Sequence, residues 1–97
     1  MKYDAVIIGS GLGGLECAHL LSKAGMSVLL LERGTQAGGC LQSYRRHGLA
    51  FDTGFHYVGG LDEGQSLHSA FRHLGLLRLP WQRLDNHFDR VTIGNQT

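Results

Sequence analysis

The sequence predicts an α/β fold in which one helix connects two parallel strands. Residues 3–8 and Val28–Leu31 are apolar runs of strand length, and neither run alternates with polar residues. Strands of this composition are typical of a parallel sheet that is covered on both faces. Residues 12–24 are apolar around most of a helix circumference, and Gly25 follows as a helix stop. The unit is therefore a βαβ crossover, which we expect to be right-handed.

The loop between the first strand and the helix carries the spacing Gly9-x-Gly11-x-x-Gly14. The first glycine permits a sharp turn, the second lets a phosphate approach the backbone, and the third lets the helix pack closely on the strand. Free N–H groups at the helix start, aided by the helix dipole, then face a pyrophosphate. Glu32, at the end of the second strand, can accept hydrogen bonds from ribose hydroxyls. Because these features occur together and in order, they predict dinucleotide binding rather than a glycine-rich structural turn.

The segment after Glu32 contains a second glycine pair, Gly38-Gly39, and then a glycine-punctuated run to Gly60 without helical periodicity. In an NAD domain the second strand usually leads through a short loop into another crossover helix. The run LERGTQAGGCLQSYRRHGLAFDTGFHYVGG instead resembles the flavin-dependent amine oxidase and carotenoid (phytoene) desaturase superfamily. Within it, the run looks most like the branch of phytoene desaturases and retinol saturases, which carry a similar GGC and FDTGxHY pattern. The resemblance covers residues 2–60.

This resemblance implies FAD as the cofactor and a set of residues along it. The first glycine loop would hold the pyrophosphate and Glu32 the adenosine ribose. Arg33 would lie near the adenine, while residues 38–40 and 52–59 would lie along the flavin. Many amine oxidases have an arginine where this chain has Cys40, which weakens the amine oxidase interpretation. The predicted cofactor-binding residues are Gly9, Gly11, Leu12, Gly13, Gly14, Glu32, Arg33, Gly38, Gly39, Cys40, Gly54 and His56.

Histidines and cysteines leave structural alternatives open. His56 has either a role at the cofactor or substrate, or a structural hydrogen bond. We expect Cys40 to be a small residue beside the cofactor rather than a redox group or a covalent attachment point for the flavin, and Cys17 to be a core residue. His68 and His73 do not share a helix face, so we predict no metal site. No catalytic residue is predicted, since the flavin would perform the hydride chemistry.

Composition limits the classes of partner and compartment. The 97 residues are 42% hydrophobic with a formal charge of +1, so no basic excess favours nucleic acid. No signal peptide or transmembrane segment is recognisable. Two cysteines do not make a disulfide framework, which favours a reducing compartment such as the cytoplasm. The expected partner is an apolar small-molecule substrate.

Three further elements are predicted outside the βαβ unit. Residues 67–74 repeat apolar side chains at helical spacing, with Ser66 as the N-cap and Gly75 as the stop. Residues 41–44 and 49–51 are expected to pair as a hairpin around a turn at 45–48. Residues 88–93 have the composition of a strand.

The predicted organisation is an incomplete Rossmann-type domain. A dinucleotide-binding unit would occupy residues 1–34, a cofactor loop and hairpin residues 35–60, and a helix with the start of another strand residues 61–97. Nothing after Glu32 repeats a strand, a crossover helix and a buried strand. We therefore expect the N-terminal piece of a longer enzyme, inactive by itself and prone to self-association through its unpaired strand edge.

The predicted protein is an FAD-dependent oxidoreductase that saturates or desaturates carbon–carbon double bonds of an isoprenoid, retinoid or carotenoid-like substrate. Three alternatives stay open at this point. They are an amine oxidase-like flavoprotein, a non-catalytic adenine dinucleotide-binding module, and a methyltransferase, although a methyltransferase has no use for a second glycine pair.

Overall fold

The βαβ unit forms as predicted in the computed structural model, which describes residues 1–96. Strands β1 (Ala5–Ile8) and β2 (Val28–Leu31) flank helix α1 (Leu12–Lys23). The strands are parallel, with a register that runs from Ala5 opposite Val28 to Ile8 opposite Leu31. Because the strands are in step, both carboxyl ends lie at one edge of the sheet, where the glycine loop and Glu32 follow them.

Glycines set both ends of α1. Gly11 is the N-cap, with an extended backbone and no side-chain cap. At the other end Gly25 has a φ of +90°, which favours glycine, and its N–H donates to the Ser22 carbonyl over 3.0 Å. The helix therefore ends one residue before the predicted boundary at residue 24, and the predicted stop is confirmed.

The hairpin exists, but the predicted boundaries of its first strand were wrong. Strand β3 (Tyr44–Arg46) pairs antiparallel with β4 (Leu49–Phe51), while Gly39–Leu41 is a short 3-10 helix. His47 and Gly48 both have positive φ, at +49° and +77°, and form a two-residue turn whose twist suits a hairpin. This tight turn places Arg46 opposite Leu49, so pairing begins next to the turn and extends only to Tyr44.

The second helix is shorter than predicted and has a different N-cap. Helix α2 (His68–His73) has Leu67 rather than Ser66 at its N-cap, and no side chain caps it. The Leu67 N–H instead donates to the Gly60 carbonyl over 3.0 Å, so the chain entering the helix is held by a backbone bond. Gly75, with a φ of +74°, ends the helix as predicted, and a 3-10 turn at Leu76–Arg78 follows.

The strand predicted at residues 88–93 does not form. In the described part of this region, Ile93 makes an isolated antiparallel bridge with Gln96, and no ladder extends from it. A strand requires a partner for its backbone groups, and this segment pairs with neither of the two-stranded sheets in the described chain.

Burial is much lower than the apolar runs predicted. Ala5 and Ile7 face α1, whereas Val6 and Ile8 on the opposite face are 56% and 86% exposed. Cys17 was predicted to be a core residue, but it is exposed, and none of the apolar side chains within residues 1–96 is fully buried. The reason is that one helix covers one face of a two-stranded sheet, and a second layer is absent from the described chain.

Candidate cofactor site

The glycine loop makes a tight turn between β1 and α1. Gly9 has a φ of +102°, a conformation that favours glycine, and its N–H donates to the Leu31 carbonyl over 2.7 Å. A Cβ on Gly14 would lie 2.0 Å from the Gly9 carbonyl oxygen. Helix α1 therefore approaches the loop so closely that its first turn has room only for hydrogen at position 14.

In front of the loop there is open space. A Cβ on Gly11 or Gly13 would meet no atom within 4 Å in the described structure. The first turn of α1 contains no acidic residue and no side-chain cap, so its leading N–H groups lack a side-chain acceptor. An unfilled space beside free helix N–H groups is suited to a phosphate, and these residues fit the pyrophosphate of a dinucleotide.

Glu32 lies directly after β2 and its carboxylate is held by backbone and side-chain donors. Its Oε1 accepts the Gly34 N–H over 2.7 Å, and its Oε2 accepts the Ser10 N–H over 2.9 Å and the Ser10 hydroxyl. The Gly34 N–H bond and then the two Ser10 bonds lower the pKa of Glu32 to about 2. The carboxylate is therefore ionised at neutral pH. It is also exposed and keeps acceptor capacity, because a carboxylate has about four lone-pair sites.

Ser10 is a functional candidate that sequence reasoning missed. It is 1% exposed, and its carbonyl accepts the Gly38 N–H over 2.8 Å in addition to its two bonds to Glu32. The signal for it lies in the strand register, since Ser10 follows β1 where the in-register end of β2 carries Glu32. A small polar residue between two glycines at that edge is within reach of the strand-end acid.

The second glycine pair folds back onto the first glycine loop. Gly38 and Gly39 have φ values of +114° and +56°, and a Cβ on Gly39 would lie 2.8 Å from the Gly11 Cα. Two motifs that are 27 positions apart in sequence, at residues 11 and 38, thus form one continuous glycine surface. The pair directs the chain from the loop toward Cys40.

The segment after the hairpin lies beside Cys40. The Thr53 hydroxyl is 2.8 Å from the carbonyl oxygens of both Cys40 and Gln42, and a Cβ on Gly54 would lie 3.7 Å from the Cys40 carbonyl. Cys40 itself is exposed and unpaired with the other cysteine. The structure therefore places Gly54 beside Cys40, the residue that follows the second glycine pair.

Three of the predicted cofactor residues present exposed side chains near this surface. Leu12 is 62% exposed at the start of α1, and Arg33 is exposed beside Glu32. His56 is exposed in a loop, and the part of the chain that the structure describes gives its ring no hydrogen bond.

Concave and polar features elsewhere do not coincide with this surface. A groove of about 350 Å³ lies between α1 and residues 74–79, and of the predicted cofactor residues it includes only Leu12. The His68 ring is hydrogen-bonded to the Leu61 carbonyl and to Arg72, each over 2.8 Å. Within residues 1–96 no group of three His, Cys, Asp or Glu side chains is arranged to hold a metal, and none of the helices is long and apolar enough to cross a membrane.

Comparison with known families identifies the fold family. The sequence model described as NAD(P)-binding Rossmann-like domain matches residues 7–74, which include the glycine loop, Glu32 and the second glycine pair. The chain belongs to this family. The predicted α/β Rossmann-type fold is thereby confirmed.

Curated relatives of this Rossmann-like domain act on retinoids and carotenoids by name. All-trans-retinol 13,14-reductase of Danio rerio is 44% identical over 91 residues, which are 94% of this chain and 15% of the relative. The Homo sapiens protein of the same name is 46% identical over 92 residues, 95% of this chain and 15% of the relative. A chloroplastic prolycopene isomerase of Daucus carota is 40% identical over 67 residues, 69% of this chain and 11% of the relative.

These matches confirm the resemblance to the desaturase and saturase branch. The chain spans about 15% of the length of the retinol reductases that it matches. The similarity therefore concerns the Rossmann-like domain and its dinucleotide site, and the activity of a whole protein is a matter for proposal.

Proposed function

We propose that this Rossmann-like domain binds FAD and serves as the N-terminal cofactor segment of an oxidoreductase acting on carbon–carbon double bonds. The proposed substrate is an apolar polyene of the retinoid or carotenoid class, because proteins with those names are 40–46% identical to the chain. The proposed layout assigns residues 1–34 to the adenosine half, residues 35–60 to the flavin side and residues 61–97 to a supporting helix.

One observation carries the choice of FAD over NAD. After β2 the described chain does not enter another crossover helix. Gly39 instead packs against the first glycine loop, where a Cβ on Gly39 would lie 2.8 Å from the Gly11 Cα. An extended cofactor lying along the glycine loop would continue past Gly38 and Gly39 toward Cys40. Backbone without side chains suits contact with a large flat ring system.

The residues divide the proposed binding task by position. The free N–H groups at the start of α1 would bind the pyrophosphate, and the ionised Glu32 would accept hydrogen bonds from the ribose. The same carboxylate would repel a ribose 2′-phosphate, which disfavours NADP. When bound, FAD supplies the hydride chemistry, and this chain supplies binding and orientation.

The test is flavin content of the protein expressed from its whole reading frame. We expect a yellow protein with about one FAD per chain, whose flavin is either reduced as the polyene is desaturated or, after reduction by dithionite, reoxidised as retinol or a carotene is saturated. A colourless protein that titrates NAD and not FAD would contradict the cofactor assignment. A flavoprotein that oxidises amines and leaves polyenes unchanged would contradict the substrate class.

We also propose that the 97-residue segment alone self-associates and retains little FAD. Val6 and Ile8 expose an apolar sheet face, and β1 has one unpaired edge. The free thiols of Cys17 and Cys40 suit a reducing compartment, and we propose the cytoplasm. Sedimentation and a flavin absorbance scan of the isolated segment test its self-association and its FAD retention. A stable monomer with stoichiometric FAD would contradict this proposal.

A further inference from the structure

Ser10 joins three segments that belong to separate sequence motifs. Its N–H and hydroxyl donate to the Glu32 carboxylate, and its carbonyl accepts the Gly38 N–H over 2.8 Å. These bonds tie the first glycine loop to the end of β2 on one side and to the second glycine pair on the other. At 1% exposed, Ser10 is the most buried residue of the described chain, although Glu32, which it holds, is exposed.

We propose that Ser10 is a positioning residue that assembles the adenosine half of the cofactor site before the cofactor binds. This inference rests on the proposed dinucleotide function and extends it to a residue outside the glycine and acid motif. Ser10 is not placed against the ligand. It acts through the Glu32 carboxylate and the Gly38 backbone, both of which face the ligand side of the loop in the proposed function.

The reason that a hydroxyl matters here is the freedom of an exposed glutamate. A free Glu side chain samples several rotamers, and a ligand that requires one of them has to immobilise it on binding. In this structure the Ser10 hydroxyl and N–H hold Oε2, while the Gly34 N–H holds Oε1. The carboxylate is therefore already fixed in one orientation, which lowers the entropic cost of binding a ribose.

Among the side chains around the Glu32 carboxylate, Ser10 supplies the hydrogen-bond donor. Neither the loop residues 9–14 nor residues 34–39 contain a titratable side chain, and the adjacent charged residue is Arg33. The side-chain hydrogen bonds described for Glu32 come from Ser10 and the backbone of Gly34. Ser10→Ala would keep the bond from the N–H of residue 10 to Glu32 and the bond from the Gly38 N–H to the carbonyl of residue 10. It would remove only the hydroxyl donor.

A matched control exists at the other end of the same strand pair. The Ser27 N–H and hydroxyl donate to a single Asp4 carboxylate oxygen over 2.8 and 2.9 Å. Ser27→Ala thus deletes the same type of hydroxyl–carboxylate bond from the same sheet, at the edge away from the glycine loop. The Ser27 Oγ also accepts the Asp4 N–H over 3.1 Å, so the control removes at least as many hydrogen bonds as Ser10→Ala does, at an exposed position away from the glycine loop.

The experiment titrates FAD and ADP into the apoprotein expressed from its whole reading frame. We expect Ser10→Ala to weaken both ligands about three- to tenfold, the loss of one hydrogen bond of ordinary strength. We expect Ser27→Ala to change both affinities by less than about twofold. Ser10→Thr restores a hydroxyl and should regain most of the lost affinity.

A double-mutant cycle separates positioning from a general effect on folding. If Ser10 acts through Glu32, then Ser10→Ala should cause little further loss of ADP affinity in a Glu32→Ala background. A loss that persists undiminished in that background, or equal affinities of Ser10→Ala and the unaltered protein, would overturn the proposal. ADP binding without FAD binding by the unaltered protein would refute the flavin assignment alone, and binding of neither would overturn both proposals.

Discussion

The two ends of the parallel strand pair carry similar serine–carboxylate hydrogen bonds in opposite order. At the amino end, Asp4 precedes β1 and accepts from Ser27, which precedes β2. At the carboxyl end, Ser10 follows β1 and donates to Glu32, which follows β2. In both pairs one serine gives its N–H and its hydroxyl to one carboxylate oxygen.

Only the carboxyl end has the features of a binding site. There the pair lies beside the open start of α1, the glycine loop and the second glycine pair. At the amino end the pair lies where α1 has already ended and Gly25 turns the chain into β2. The serine and the acid therefore do not determine the site by themselves. The parallel topology does, because helix N-termini and loops meet at the carboxyl edge of such a sheet.

The largest expected effect comes from filling the space in front of the glycine loop. Gly11→Val should abolish FAD retention, with a loss of affinity of about a hundredfold or more, because a side chain would occupy the proposed pyrophosphate position. The fold should remain, since a Cβ there meets no atom within 4 Å and the backbone φ is −70°. Flavin titration and circular dichroism measure the two effects. Unchanged flavin occupancy would mean that the loop does not approach a phosphate.

A large effect on stability is expected at Gly14. Gly14→Ala puts a Cβ 2.0 Å from the Gly9 carbonyl oxygen, so the loop and α1 must separate. We expect a loss of about 1–3 kcal/mol in the free energy of unfolding, as for overpacked sites.

The neighbouring glycine provides a control for this substitution. Gly13→Ala adds a methyl group to open space within the helix and should raise the stability of the apoprotein by about 0.5–1 kcal/mol. Urea unfolding of the two apoproteins makes the comparison. Equal stabilities of the two variants would show that the helix does not pack on the loop as described.

Local sequence signals predicted the βαβ unit well. Apolar runs fixed β1 and β2 to within about two residues, and Gly25 correctly marked the end of α1. The glycine spacing and Glu32 also indicated which edge of the sheet holds the candidate site. These features are local in the chain, because each depends on residues within one element or its adjoining turn.

The errors concern features that depend on distant partners. The strand predicted at residues 88–93 had the right composition and no neighbouring edge, and Cys17 required a second layer to become buried. Ser10 was missed because its importance depends on the register that puts the end of β1 beside Glu32. Residue composition alone did not distinguish it from a small spacer between two glycines.

Acid should affect the two ends of the strand pair in the same direction. The pKa of Glu32 is lowered from 4.5 to about 2, and the Ser27 backbone and hydroxyl bonds lower the pKa of Asp4 below 3.8. A lowered pKa contributes stability above the unfolded-state value, and that stability is lost as the pH falls through the folded-state value.

The pH window follows from these values. The contribution of Glu32 should be complete above about pH 4.5 and should disappear toward pH 2. Urea unfolding midpoints between pH 7 and pH 3 measure this dependence, and Glu32→Gln should flatten it. A Glu32→Gln profile identical to that of the unaltered protein would contradict the hydrogen bonds described for the carboxylate.

The smallest effect on ligand affinity and stability is expected at the amino end of the strand pair. A substitution there tests most directly whether the two ends differ in function. Asp4→Asn keeps an oxygen that can accept from Ser27 but removes the charge, and both residues are exposed. Hydrogen bonds and charges at exposed positions contribute little because water competes and salt screens them. We therefore expect a slight fall in the urea midpoint at pH 7, no change in FAD or ADP affinity, and loss of the part of the acid dependence that Asp4 supplies.

Titration of both ligands into Asp4→Asn and Glu32→Gln side by side measures the difference between the two ends of the strand pair. A drop in affinity for Asp4→Asn as large as for Glu32→Gln would show that the two ends of the strand pair are coupled, and that the carboxyl edge is not the separate site that its geometry indicates.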